Sequence, residues 1–280
     1  MIAAPPPDDY AHSRHAGNAG DVFKHIALAA LLRAVPAQLY VETHAGDGIF
    51  TLGSVGEWSG GISRLWPAPA GESAGDALDR YFAAVRGFSR TGAERPQRYP
   101  GSPLIARALL PAQARLVLYE LQPTPAHVLR RALDPGEHAE VLEQDGFAAL
   151  PKALAQAGAS PAVALIDPPY SQKPEWEKAA LALAAARAEA PLAALLLWYP
   201  IKALTRPRAL LAHLARLGVH GTAVELITTP LRLKRDRLSG SGVVLANAPL
   251  AAAQELCAVL PRLGPLLATH GEWSATQIGF

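Results

Sequence analysis

The chain has 280 residues, half of them hydrophobic, with 26 Lys and Arg against 24 Asp and Glu and a formal charge of +2 at neutral pH. That is enough for one large α/β domain with an insertion, and too balanced a charge to announce a nucleic-acid partner without local basic patches. The single cysteine, Cys257, excludes an intramolecular disulfide or a cysteine-rich zinc site and fits a reducing cytoplasm. No apolar run is read as long enough for a membrane span of roughly 18 residues, and the start Met1-Ile2-Ala3-Ala4-Pro5-Pro6-Pro7 reads as a disordered tail over residues 1–9, not a secretory signal.

Residues 10–25, YAHSRHAGNAGDVFKH, are dense in histidine and glycine. A helix is predicted from Asn18 or Asp21, either able to cap it, to about Arg33, with Val22, Phe23, Ile26, Ala30 and Leu31 as its apolar face. Lys24 and His25 then fall in the first turn, where a cation opposes the helix dipole and an anionic ligand would relieve it. His12, His15 and His25 match no familiar zinc spacing, so no metal is expected.

Leu39 to Glu42 reads as a first strand, followed by the glycine loop Thr43-His44-Ala45-Gly46-Asp47-Gly48. Glycine lets backbone approach a ligand closely, but Thr51 stands where the dinucleotide fingerprint needs its third glycine. Residues 53–98 interrupt the alternation and read as a small, mostly helical insertion. Its helix runs from about Asp76 to Phe88, and Arg80, Arg86, Arg90, Arg95 and Arg98 form a basic flank. Ser102 is placed to cap the next helix, with Pro103 at its first position. A strand over 116–119 ends in Glu120, and one over 140–142 leads to Asp145-Gly146. Doubly wound folds place an acid at the tip of the second strand to accept from ribose hydroxyls, and Asp145 at the third could accept an adenine amine. Helix capping explains either acid as readily.

Val163 to Ile166 is an apolar run without charge, read as a buried parallel strand. Asp167-Pro168-Pro169-Tyr170 then forbids further pairing and an immediate helix, leaving a stiff turn at the carboxyl end of the strand. Asp167 and the Pro168 carbonyl can accept both hydrogens of an exocyclic amine while Tyr170 stacks on the flat base. Leu192 to Tyr199 is a fifth strand, its Trp198-Tyr199-Pro200 end walling the same edge. A strand over 222–227 and a basic loop from Pro230 to Arg237 follow. The run Ser239-Gly240-Ser241-Gly242 reads as mobile. An antiparallel strand over 243–246, a helix over about 250–260 and a terminal strand near 274–278 close the chain.

Asp-Pro-Pro-Tyr resembles motif IV of amino-methyltransferases that use S-adenosylmethionine, and the glycine loop after the first strand resembles their motif I. Together, HAGNAGDVFKH, ETHAGDG, YPGSPLIAR, IDPPY and LWYP resemble the bacterial family of 23S ribosomal RNA adenine-N6 methyltransferases from Tyr10 onward. The resemblance implies a Rossmann-like class I S-adenosylmethionine-dependent fold, α/β and mostly parallel with one antiparallel strand. The methyltransferase domain then spans 10–52 and 99–280, with residues 53–98 inserted. It implies cofactor contacts at His25, His44, Ser102, Glu120, Asp145, Gly146 and Asp167. Asp167 becomes the catalytic residue, with Tyr10 and Lys24 near the adenine. Expected with it are 23S ribosomal RNA as substrate, protein-free or in an early assembly particle, a monomeric enzyme, no membrane partner and a cytoplasmic location. Methylation of a DNA adenine or cytosine amine, or a non-catalytic nucleic-acid binding or uptake protein on the same fold, are the alternatives.

Overall fold

A computed structural model describes residues 15–66, 75–90, 92–133, 138–233 and 238–280. The expected tail, Tyr10, His12, and Lys234, Arg235 and Arg237 of the basic loop lie outside these residues. Eight of the described strands form one sheet: β1 (Leu39–Glu42), β4 (Arg115–Tyr119), β5 (Ala139–Leu142), β6 (Ala162–Ile166), β7 (Ala194–Ile201), β8 (Gly221–Ile227), β9 (Gly240–Ala246) and β10 (Ser274–Gly279). Their spatial order is β10-β8-β9-β7-β6-β1-β4-β5. The five strands from β7 to β5 are parallel to one another. β6 is buried from both sides: Val163 and Leu165 join one core, and Ala162, Ala164 and Ile166 the other. That is why the sequence there reads as an unbroken apolar run.

One antiparallel strand was expected, but two run against the rest. β9 pairs antiparallel with β7 and β8, and β10 antiparallel with β8. The reason lies in helix α8 (Leu250–Leu267) between β9 and β10. A helical crossover returns the chain to the end from which it started, so β10 must run in the direction of β9. The helix also corrects the expectation that no segment is long and apolar enough for a membrane. By length and composition its 18 residues pass, although 44% of them are buried inside the protein. Leu256, Val259, Leu260, Leu263 and Leu267 form that buried side, and the helix continues through Pro261 and Pro265, past the expected end.

A second correction concerns Ser239 to Gly242. Gly240, Ser241 and Gly242 are not a mobile linker but buried residues of β9. A Cβ at Gly242 would overlap the Tyr199 ring. Small residues are therefore what let β9 lie beside β7, and their linker-like composition reflects packing.

On one face of the sheet lies α1 (Ala19–Ala34), surrounded by α2 (Ala77–Arg86), α3 (Ser102–Leu109) and α8. Asn18 caps it by accepting from the Asp21 N–H at 2.9 Å, and Asp21 accepts in return from the Gly17 N–H at 3.0 Å. The expected apolar face is buried, but so are Lys24, His25, Ala27, Leu28 and Ala29. A helix apolar nearly all round is a core helix, and this one carries two polar side chains into the interior. The opposite face holds α5 (Gly146–Ala155), α6 (Pro174–Glu189) and α7 (Thr205–Arg216), while α4 (Pro123–Ala132) follows β4. The segment expected as an insertion is closed at its neck by a short ladder of β2 (Ile49–Thr51) and β3 (Arg98–Pro100). Its Trp58, Ile62, Leu78, Tyr81 and Phe82 are continuous with the α1 core.

Candidate active site

Because β1, β4, β5 and β6 are parallel neighbours, the residues after them share one edge, the place where open α/β sheets bind ligands. The loop after β1 turns through Gly46 and Gly48, both in the left-handed region at φ +62° and +75°. The Ala45 N–H donates to the Tyr119 carbonyl at 2.9 Å, and the Gly46 N–H to Glu120 Oε2 at 2.9 Å. Glu120 Oε1 accepts from the Gln122 N–H at 2.8 Å. Glu120 thus anchors the glycine loop to the tip of β4 and does not cap a helix. Asp145 does cap one, accepting from the Phe147 N–H at 2.9 Å. Gly146 lies so close to the Thr43 backbone that any Cβ would collide with it. His44 meets the Phe147 ring edge-on at 4.6 Å and its Nδ1 lies 2.8 Å from Thr43 Oγ1. Burial lowers the His44 pKa against the pull of Glu120 and Asp145, favouring a neutral ring.

Asp167 follows β6 and is met there by a lysine from α1. Lys24 Nζ donates to Asp167 Oδ2 at 2.5 Å and to Asp21 Oδ1 at 2.9 Å. Lys24 is 7% exposed. Burial by itself would favour a neutral amine, but Asp167 and Asp21 outweigh it and hold the ammonium above its usual range. Burial raises Asp167, with Lys24 pulling the other way. Lys24 and His25 stand in the second turn of α1, not the first, because the helix starts at Ala19. The carboxylates supply the relief expected from a ligand.

Two further buried groups back this edge. Ser102 does not cap α3; Gly101 occupies the cap position without a side-chain bond. The Ser102 hydroxyl instead donates to Glu42 Oε1 at 2.5 Å, and the Tyr40 hydroxyl to Glu42 Oε2 at 2.8 Å. Burial raises the Glu42 carboxyl to about 8 despite these bonds. His25 Nδ1 lies 2.8 Å from the Tyr99 hydroxyl, which lies 3.1 Å from that of Tyr81. Burial lowers His25 to about 3, so the ring is neutral, and its buried Nε2 has no partner. His15 pairs instead with Glu57 at 3.0 Å on the surface.

After the turn, Tyr170 takes φ +52°, a strained value for a residue with a side chain. Its hydroxyl donates to the Trp198 carbonyl at 2.7 Å, and its ring lies against Trp176 at 4.5 Å. At 9% exposure Tyr170 is buried and held by these contacts. Pro168 is buried and Pro169 exposed. β7 runs on to Ile201, so Tyr199 is core, its hydroxyl donating to buried Glu225 at 3.0 Å, and Trp198 alone of that pair stands beside the site. Asp21 was expected only as a possible helix cap, a place Asn18 takes, and neither it nor Glu42 nor Tyr99 was expected in the site. Glu42 is an acid at a strand tip, and Asp21 lies one helical turn before Lys24; each pattern was present but mute without the partner across the fold.

A model of the family described as ribosomal RNA large subunit methyltransferase D, RlmJ, matches residues 35–278. Ribosomal RNA large subunit methyltransferase J of Escherichia coli (strain K12) is 33% identical over 277 residues, covering 95% of this chain and 96% of that protein. The protein of the same name from Haemophilus influenzae is 30% identical over the same shares. A crystal structure of a Legionella pneumophila protein superposes with a TM-score of 0.81 at 26% identity, covering 95% of this chain and 98% of that one. With the family model matched over most of its length and relatives this similar from end to end, the chain belongs to the RlmJ family of ribosomal RNA large subunit methyltransferases.

Proposed function

We propose that this protein methylates the N6 amine of one adenine of 23S ribosomal RNA, with Asp167 as the group that receives the amine. Its family makes it a ribosomal RNA methyltransferase that takes its methyl group from S-adenosylmethionine. The carrying observation is Lys24 held 2.5 Å from Asp167: a nitrogen donor already occupies the place an exocyclic amine would take. The residues at the strand tips suit the cofactor. Glu120 and Asp145 stand where ribose hydroxyls and an adenine amine need acceptors, beside the glycine loop and Gly146. Neutral His25 has an unpartnered Nε2 for the methionine end. Ser102, fixed by Glu42, keeps lone pairs for the ammonium, and His44 covers the loop. In this reading residues 10–52 and 99–280 form the methyltransferase domain and 53–98 its helical insert. The enzyme acts as a cytoplasmic monomer on RNA that is protein-free or in an early assembly particle.

The bound cofactor supplies an electrophilic methyl group on a sulfonium, so the protein's part is mainly alignment of the nucleophile. The adenine N6 lone pair is delocalised into the ring. Asp167 and the Pro168 carbonyl accept its two hydrogens, favouring a pyramidal nitrogen and developing positive charge. Asp21 gives the Lys24 ammonium a second carboxylate to hold as the amine takes its place. Asp167, raised by burial, then receives the proton. Tyr170, clamped on Trp198, is the wall against which the base lies once it has left its stack. The test is transfer of labelled methyl to protein-free 23S RNA followed by nucleoside analysis. Label in N6-methyladenine supports the reading; label in a methylated cytosine or in no nucleoside contradicts it.

A further inference from the structure

The rings beside Asp167 continue outward as a track. Lys24 Nζ, bonded to Asp167, lies 5.8 Å from the Trp198 ring centre. Trp198 and Tyr170 are 6.1 Å apart, and Tyr170 and Trp176 4.5 Å. The Arg206 guanidinium then lies over the Trp176 ring at 5.9 Å. Arg206 stands in the first turn of α7 and Trp176 in the first turn of α6, so the track ends at the corner where the two helices begin.

The corner also carries cations that make no ion pair among the described residues. Many described arginines are already matched: Arg115 by Glu140, Arg130 by Glu143, Arg208 by Glu225 and Arg232 by Glu272. Lys173 just before α6, Lys202 just after β7 and Arg206 are all exposed. Glu175, in the first turn of α6, accepts from the Gln172 N–H at 3.1 Å and the Ser171 hydroxyl at 3.3 Å. Glu177 is the other acid of that turn, which leaves the corner positive.

Single-stranded nucleic acid is held by this combination, cations that follow its phosphates and flat groups on which bases stack. A guanidinium lying on an indole is stabilised by the ring and can itself carry a base. We propose that the RNA flanking the target adenine crosses the α6–α7 corner, with phosphates at Lys173 and Lys202 and a neighbouring base on the Arg206–Trp176 pair. This rests on the RNA-methylating reading above.

The test compares wild type with the triple variant Lys173→Ala, Lys202→Ala, Arg206→Ala on protein-free 23S RNA at several salt concentrations. Losing the two phosphate contacts at Lys173 and Lys202 should lower the slope of log affinity against log salt by about 1.4, at roughly 0.7 per contact. KM for RNA should rise about tenfold in moderate salt, while kcat and the S-adenosylmethionine dissociation constant hold. Lys173→Arg with Lys202→Arg should restore the slope. Arg206→Lys alone should keep the slope and still raise KM, because a lysine lacks the flat stacking surface. Wild-type slope and KM in the triple variant would overturn the inference while leaving the methylation reading intact. A wild-type protein that methylates no RNA would instead overturn the reading on which it rests.

Discussion

Asp167 is a carboxylate made to serve at a buried position, and its chemistry decides what substitution does. Asp167→Ala should abolish methyl transfer with little change in fold, although it strands part of the charge on Lys24. Asp21, 2.9 Å from the same ammonium, limits that penalty. Asp167→Asn should retain weak cofactor binding and lose most activity, since an amide is a poorer acceptor for the developing cation. Wild-type turnover by either variant, with cofactor binding measured alongside, would contradict the assignment. Glu120 makes a different prediction. It already accepts from the Gly46 and Gln122 N–H groups. Glu120→Ala should weaken S-adenosylmethionine binding by about 1.5–3 kcal/mol, the range for hydrogen bonds to a charged group. An unchanged dissociation constant by calorimetry would confine Glu120 to anchoring the loop.

Glu42 gives the residue scale its pH dependence. Burial raises its carboxyl from 4.5 to about 8. Between those values the folded state keeps a proton that the unfolded state releases. The contribution of Glu42 to stability is therefore full below about 4.5 and lost as pH rises through 8. Denaturant unfolding of wild type should show that decline, and Glu42→Gln should flatten it. Parallel pH profiles for the two proteins would contradict this.

At the scale of elements, the parallel strands were legible because both faces are buried, so β1, β4 and β6 appear as short apolar runs. The α1 cap at Asn18 was legible for a local reason, as its side chain reaches an N–H three residues on. What was not legible depended on neighbours far along the chain. Ser-Gly-Ser-Gly resembles a linker until Tyr199 is seen against Gly242. Ser102 resembles a cap until Glu42, 60 residues away, takes its hydroxyl. The Lys24–Asp167 pair spans 143 residues, beyond any local pattern. The β9 reading carries its own prediction. Gly242→Ala should destabilise the protein by about 1–3 kcal/mol, the usual effect of overpacking, and Tyr199→Phe in the same chain should recover little of it, because ring carbons as well as the hydroxyl are in the way. A neutral Gly242→Ala would restore the linker reading of that segment.

For the whole molecule, balanced charge hides an uneven distribution. The arginines expected to form an RNA-binding flank on the insertion are partly structural. Arg80 donates to the Leu109 carbonyl at 3.1 Å, and Arg95 to the Gly53 carbonyl at 3.0 Å while lying over Trp58. Arg232, expected in a basic RNA loop, is bound by both oxygens of Glu272. Lys173, Lys202 and Arg206 at the α6–α7 corner are exposed cations without an ion pair among the described residues. The central claim is that this edge places an adenine amine on Asp167 for methylation. The most direct measurement is nucleoside mass spectrometry of 23S RNA treated with S-adenosylmethionine and either wild-type protein or Asp167→Ala. The account predicts N6-methyladenine at one site with wild type and none with the variant. Equal N6-methyladenine from both proteins, or a methyl group on another base, would contradict it.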